Sequence, residues 1–323
     1  MNKPIAIIAG EPNSISSEII FKSWKLRKQY IHKPMFVIGN IRLLNLQKIK
    51  MKYQIKIKKI DKDFNMNDLN GTELPVYDIA YNQKKSFEKI SSKSNKYIFE
   101  CFDIALQFAK DKKIHGFINC PVSKESLFKN KHHGITEYLS NKLGKKDNEV
   151  MLIYNKKLSV SPITTHIPLR NVAKEISKYK IVKKVKIINY FYKKILNKKP
   201  NFAILGLNPH NFVSPKKIVE KKIINEAINN LIKLKIKVMG PVAPDSSFMI
   251  FKRYKFDVII GMYHDQVLTP FKALYNFNAI NITLGLPYIR ISPDHGVAEN
   301  IIGKKIANPT SLIESIKFFN YIK

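Results

Sequence analysis

The chain has 323 residues, is 45% hydrophobic and carries a formal net charge of +33. Its length and apolar content suffice for one large core or two ordinary ones. No apolar run approaches the roughly 20 residues of a membrane helix, and two cysteines, Cys101 and Cys120, exclude a disulfide framework or a cysteine-based zinc site.

Thiol usage of this kind predicts a reducing, cytoplasmic setting. The opening stretch MNKPIAIIAGEP is too short in apolar residues for a signal-peptide core and reads as a first buried strand. The positive charge is spread along a sequence rich in Lys, Ile and Asn rather than gathered in a tail. Runs such as Lys56-Ile57-Lys58-Lys59 and Lys183-Lys184-Val185-Lys186 alternate with apolar residues, as solvated faces do. With no nucleic-acid-binding motif and no aromatic residues clustered among the basic runs, neither nucleic acid nor membrane is the expected partner. An anionic substrate still gains from the positive field.

Strands are expected at Ile5–Ala9, Met35–Ile38, Gly116–Asn119, Val160–Thr164, Phe202–Leu207, Lys237–Met239, Asp257–Gly261 and Ala279–Thr283. Between them, apolar residues at three- and four-residue spacing predict helices over Ser17–Tyr30, Ser94–Lys110, Ala173–Leu196 and Ile218–Lys233. This alternation predicts an α/β fold with mainly parallel strands. Lys50–Lys93 shows no regular period. A break near Pro121–Lys131 separates an expected first lobe, 1–126 with 300–323, from a second, 127–299.

Ligands of open α/β sheets collect beyond the carboxyl ends of the strands. Three strands lead there to histidine: Thr165-His166-Ile167-Pro168, Asn208-Pro209-His210 and Met262-Tyr263-His264-Asp265. One such histidine is more often a strand cap bonded to nearby backbone. Three in the same topological place point to a zinc-like divalent metal with an open position for substrate. Asp245 and Asp265 are candidates to orient the imidazoles or to bind metal themselves. His32 and His115 read as surface or loop residues, and His132-His133 lie in a basic loop. A fourth strand leads through Gly285-Leu286-Pro287-Tyr288-Ile289-Arg290 to Asp294-His295-Gly296. Arg290 is a candidate fork for phosphate or carboxylate, with Lys272 and Asn281 as further donors.

Taken together, Thr165-His166-Ile167-Pro168-Leu169, Gly206-Leu207-Asn208-Pro209-His210, Met262-Tyr263-His264-Asp265-Gln266 and the segment from Asn281 through Arg290 to Gly296 resemble the 4-hydroxythreonine-4-phosphate dehydrogenase family of vitamin B6 biosynthesis. The resemblance runs from Gly10-Glu11-Pro12 to the C-terminal helix. It implies an isocitrate/isopropylmalate dehydrogenase-like fold, with two α/β/α lobes and an active cleft between them. It implies a homodimer with a shared active site and a divalent metal (zinc, magnesium or cobalt) on His166, His210 and His264, one of them from the partner chain. Thr136, Lys272, Asn281 and Arg290 would hold a phosphorylated substrate. The implied reaction is oxidation of the C3 hydroxyl of 4-phosphohydroxy-L-threonine with NAD or NADP, then decarboxylation to 3-amino-2-oxopropyl phosphate. Asp245, Asp265 and Lys272 are all candidates for the general base; no cofactor-binding residue is assigned.

The sequence departs from the family pattern in three places. Ile135 stands where Gly-His-Thr-Glu has its histidine, Asn211–Lys217 lacks the glycines that follow Asn-Pro-His, and the first loop carries serines, Ser14, Ser16 and Ser17, among its glycine positions. These departures add two further expectations: a paralogue acting on a four-carbon sugar-acid phosphate, or a metal- or phosphate-binding protein without turnover.

Overall fold

The computed structural model describes residues 3–30, 33–128, 134–145, 148–211 and 219–322. In chain order its strands are β1 (Ile5–Ile8), β2 (Met35–Gly39), β3 (Ile57–Ile60), β4 (Leu74–Asp78), β5 (Gly116–Asn119) and β6 (Val150–Tyr154). There follow β7 (Ser159–Pro162), β8 (Phe202–Leu205), β9 (Val238–Val242), β10 (Val258–Gly261), β11 (Ile280–Leu284) and β12 (Ile289–Pro293). The chain divides into two compact units, Met1–Leu139 with Pro287–Lys323, and Ser140–Leu286.

In the first unit the strands run in the order β3-β4-β2-β1-β5-β12, and the pairings are parallel throughout. Strands of such a sheet are covered on both faces and read as continuous apolar runs. Ile5-Ala6-Ile7-Ile8 is buried at every position, as is Met35-Phe36-Val37-Ile38-Gly39. Gly116 pairs with Ile5 on one side and Ile289 on the other. A Cβ there would stand 2.5 Å from the Ile289 carbonyl oxygen and 2.7 Å from the Phe319 ring of the helix Thr310–Tyr321. Glycine therefore lets that helix lie flat on the strand.

In the second unit the order is β11-β6-β7-β10-β8-β9. Only β6 runs against its neighbours; β7, β10, β8 and β9 are parallel. Ile153, Val160, Ala203, Leu205, Ile259, Val267 and Phe271 form the buried core. Lys184, on the helix Lys178–Lys194, donates from its amine to the Ile163 carbonyl at 2.8 Å and the Pro162 carbonyl at 3.4 Å. It thus fastens the chain as it leaves β7. Burial pulls this amine down from 10.5 to about 8; Glu149 opposes the shift.

Several expected elements change length for local reasons. The helix expected over Ala173–Leu196 stops at Glu175, because Ile176 is extended and the Ser177 side chain caps a new helix by accepting from the Lys180 amide at 3.2 Å. Lys50–Lys93 contains β3 and β4. Half-exposed Ile57-Lys58-Lys59-Ile60 shows neither period clearly. No described helix is long and apolar enough to cross a membrane.

Gly116→Ala should cost about 1–3 kcal/mol through overpacking against backbone and ring, read as a lower denaturation midpoint at unchanged slope. For Lys184, the folded state holds the amine proton less tightly than the unfolded chain. The cost of burying the charge is thus full below pH 8 and fades as pH rises towards 10.5. The stability of the wild type relative to Lys184→Met should increase with pH across that window, and a flat difference in thermal midpoints would contradict it.

Candidate active site

In the second unit, the loops that carry histidine are joined to one another before any ligand is considered. Beyond β7, the Thr164 hydroxyl donates to the Met262 carbonyl at 2.8 Å and the Ile163 amide donates to the Gly261 carbonyl at 2.8 Å. Gln266 does the same for β10 and β8. Its Oε1 accepts from the Met262 amide at 2.7 Å, and its Nε2 donates to the Gly206 carbonyl at 2.8 Å. Gln266 is 9% exposed, so both bonds form largely out of water. Gly261 makes the tight turn possible: a Cβ there would stand 2.5 Å from Val267 Cγ1.

His264 is the first residue of the helix His264–Tyr275, with Asp265 in its first turn, where the helix's positive end favours a carboxylate. His264 Nδ1 lies 2.7 Å from Asp265 Oδ1. A carboxylate accepts only, so it selects the tautomer protonated on Nδ1 and leaves the lone pair on Nε2. The His166 and His264 ring centroids are 5.8 Å apart. His210 occupies the short helical turn Pro209–Asn211 in a left-handed conformation, φ 50° and ψ 21°, which costs a non-glycine residue about 1 kcal/mol or more. Its Nδ1 lies 3.5 Å from Asp245 Oδ2, on the helix Pro244–Ile250. Two of the three histidines thus carry an aspartate on the same ring nitrogen.

The structure brings His166 to His264, and His210 to Asp245. Among the described residues no group of three or more His, Cys, Asp or Glu side chains stands close enough to hold a metal ion. His264 is half-buried, whereas His166 and His210 are exposed. Lys272 lies seven residues beyond Asp265 on the same helix, a spacing that returns to nearly the same face about two turns on. Asn281, on β11, has a buried Oδ1 without a hydrogen-bond partner among the described residues.

The first unit holds the other candidates. Arg290 lies within β12, in register with Phe117 of β5, and is 3% exposed. Its Nε donates to Asn119 Oδ1 at 2.6 Å and its Nη1 to Thr136 Oγ1 at 3.2 Å. Burial draws the guanidinium down to about 9. Thr136 sits in the first turn of the helix Ile135–Lys142, next to buried Ile135. The serine-bearing first loop is packed tight. Ser14 Oγ donates to the Glu11 carbonyl at 2.7 Å, and residues 9–20 are buried. That density suits a structural corner rather than a cofactor cradle. Residues 132 and 133, and 212–217 of the loop after His210, lie outside the described residues.

Gln266, Thr164 and Asn119 were not singled out by residue type or spacing. Gln266 stands in the polar run His264-Asp265-Gln266, directly before apolar Val267, where nothing local distinguishes it from a solvated residue.

Comparison with known proteins gives a consistent result. A family model described as pyridoxal phosphate biosynthetic protein PdxA matches residues 31–319. The 4-hydroxythreonine-4-phosphate dehydrogenase of Sulfurihydrogenibium sp. (strain YO3AOP1) is 37% identical over 99% of this chain and 98% of its own. A protein of Oceanobacillus iheyensis, provisionally named D-threonate 4-phosphate dehydrogenase, is 31% identical over 97% of this chain and 96% of its own. The crystal structure of 4-hydroxythreonine-4-phosphate dehydrogenase from Klebsiella pneumoniae superposes with a TM-score of 0.84 at 28% identity, covering 99% of this chain and 97% of that one. With the motifs, the two-unit α/β fold and the full-length matches in agreement, the chain belongs to the pyridoxal phosphate biosynthetic protein PdxA family.

Proposed function

We propose that this protein oxidises 4-phosphohydroxy-L-threonine at its C3 hydroxyl with NAD or NADP, and that the β-keto acid loses carbon dioxide to give 3-amino-2-oxopropyl phosphate. The observation that carries this reading is the pair of aspartate-backed imidazoles, His264 with Asp265 and His210 with Asp245, at the ends of parallel strands. Full-length similarity to dehydrogenases acting at a phosphorylated hydroxy acid supports it.

The donor set suits a divalent cation such as zinc, magnesium or cobalt: neutral imidazoles with Nδ1 engaged offer Nε2 lone pairs. His166, His210 and His264 would hold it. The third ligand from a second copy of the chain is part of the proposal, because within one chain His210 stands with Asp245. A bound cation would supply positive charge that makes a secondary hydroxyl easier to deprotonate, and a nicotinamide would supply the hydride acceptor. The remaining roles belong to the chain's own side chains. Asp245 and Asp265 are occupied in orienting imidazole, so we assign proton transfer to Lys272. The buried Oδ1 of Asn281 accepts a hydrogen bond from the substrate, since an unmet buried acceptor costs about 1–3 kcal/mol. Arg290 and Thr136 take the phosphate.

One observation favours a second reading. Ile135 is 5% exposed and adjoins Thr136, so an imidazole is missing where the family uses one. A relative provisionally named for D-threonate 4-phosphate is 31% identical. Purified protein with a divalent metal and NAD or NADP should reduce the cofactor when given 4-phosphohydroxy-L-threonine. Reduction only with a four-carbon sugar-acid phosphate would select the second reading, and metal binding without any turnover would leave a binding protein. Asp265→Asn should weaken both divalent-metal affinity and turnover about 10- to 100-fold; unchanged metal affinity by calorimetric titration would remove Asp265 from the site.

A further inference from the structure

The candidate active-site residues gather beyond the carboxyl ends of strands, whereas a cavity in the first unit opens at the amino ends. There β2 begins at Met35 and its parallel neighbour β4 at Leu74. The cavity has a volume of about 280 Å³, and Trp24, Arg27, Lys28, Lys33, Met35 and Leu69 are among its lining residues. That is close to the lower end of small-molecule sites, roughly 300 Å³. Three of the lining residues are cations and none is acidic.

One wall of the cavity is held by specific bonds. The guanidinium of Arg27 lies over the Trp24 ring, 4.2 Å from its centroid. Its Nη1 donates to the Trp24 carbonyl at 3.0 Å, and its Nη2 to the Gly71 and Thr72 carbonyls at 3.3 and 3.4 Å. The indole N–H donates to the same Thr72 carbonyl at 3.3 Å. The end of the helix Ser16–Leu26 is thereby tied to the segment leading into β4. A guanidinium has five N–H donors, so these neutral carbonyls leave donors to spare. Lys33 is 9% exposed; its amine donates to the Ile322 carbonyl at 2.9 Å and lies 2.8 Å from His115 Nδ1. Lys28 is exposed and bonds to no other described residue. Burial lowers the pKa of Arg27, with Tyr30 opposing it, and burial alone lowers that of Lys33; among the described residues no carboxylate acts on either.

Diffuse lysine is the background of this chain, and only five of its 57 basic residues are arginine. An arginine fixed against the single tryptophan is of another kind. Its planar fork, beside two ammonium groups, matches an oxyanion with several acceptor oxygens and more than one charge, as a phosphate has. Met35 and Leu69 offer apolar contact to a short carbon chain.

We propose that this cavity is a second anion site, taking inorganic phosphate or a small phosphate monoester, with Arg27 as its fork and Lys28 and Lys33 supplying further charge. It stands independently of the substrate reading, because its residues are separate from those assigned to the reaction.

Trp24 is the chain's only tryptophan, so its emission reports from this cavity. At constant ionic strength, inorganic phosphate added to the full chain should change that emission saturably, and chloride should not. Loss of charge-assisted hydrogen bonds in Arg27→Gln should raise the titration midpoint about 10- to 100-fold. Lys28→Glu, at an exposed position where folding is not at stake, should raise it about tenfold or more by placing like charge against the anion. Tighter binding of glycerol 3-phosphate than of inorganic phosphate would assign the site to an ester, and equal or weaker binding to the free ion. No saturable change in the wild type would overturn the proposal, as would wild-type midpoints in both variants.

Discussion

The side-chain amide of Gln266 is the interaction on which the candidate site depends. A primary amide offers donors and an acceptor at fixed separation, and here one end accepts from the Met262 amide while the other donates to the Gly206 carbonyl. These are the points where β10 and β8 give way to the segments bearing His264 and His210. A sheet ladder ends with the strand; beyond it the backbone has no regular partner. Gln266 and Thr164 extend the sheet's order by one residue or more into the loops, and only then can imidazoles have fixed positions. Glutamate at 266 would lose the donor to Gly206, and leucine would leave two backbone groups unmatched. Lys184 serves the third segment similarly, bonding the carbonyls of Pro162 and Ile163.

How much of this was legible in the sequence depends on the range of the interaction concerned. The buried parallel strands at Ile5, Met35, Gly116, Phe202 and Val258 announce themselves as short apolar runs, and the structure places strands at all of them. The position of His166, His210 and His264 just beyond β7, β8 and β10 was legible too, because a change from apolar to polar at a strand end is a local signal. The ties between segments were not local. Gln266 reaches Gly206 across 60 residues and Arg290 reaches Asn119 across 171. No period or spacing relates such partners. β3 and β4 were also missed: Ile57-Lys58-Lys59-Ile60 is half-exposed, and short strands of this kind carry too few residues to show alternation.

The lysine content divides into working and background parts. A diffuse excess of +33 says little about function. Burial and direction say more. Lys184 spends its amine on two backbone carbonyls, and Lys22 bonds the carbonyls of Lys305 and Ala307 while pairing with Glu18. These lysines act as long-reach donors to backbone carbonyls. Arg290 is different in kind, since its guanidinium is buried and donates to the side chains of Asn119 and Thr136. Composition alone cannot separate these uses, whereas fractional exposure does so residue by residue.

The division of the chain also sets an order of assembly. The second unit is one uninterrupted segment, Ser140–Leu286, while the first is split around it. The second unit is translated whole before β12 and the helix bearing Phe319 are added. Until they arrive, β5 has β1 on one flank only, and the face of Gly116 that Phe319 will cover is open. The unit encoded first is therefore the last that can close. In the interval its apolar strand edge is open to misassociation and to chaperones.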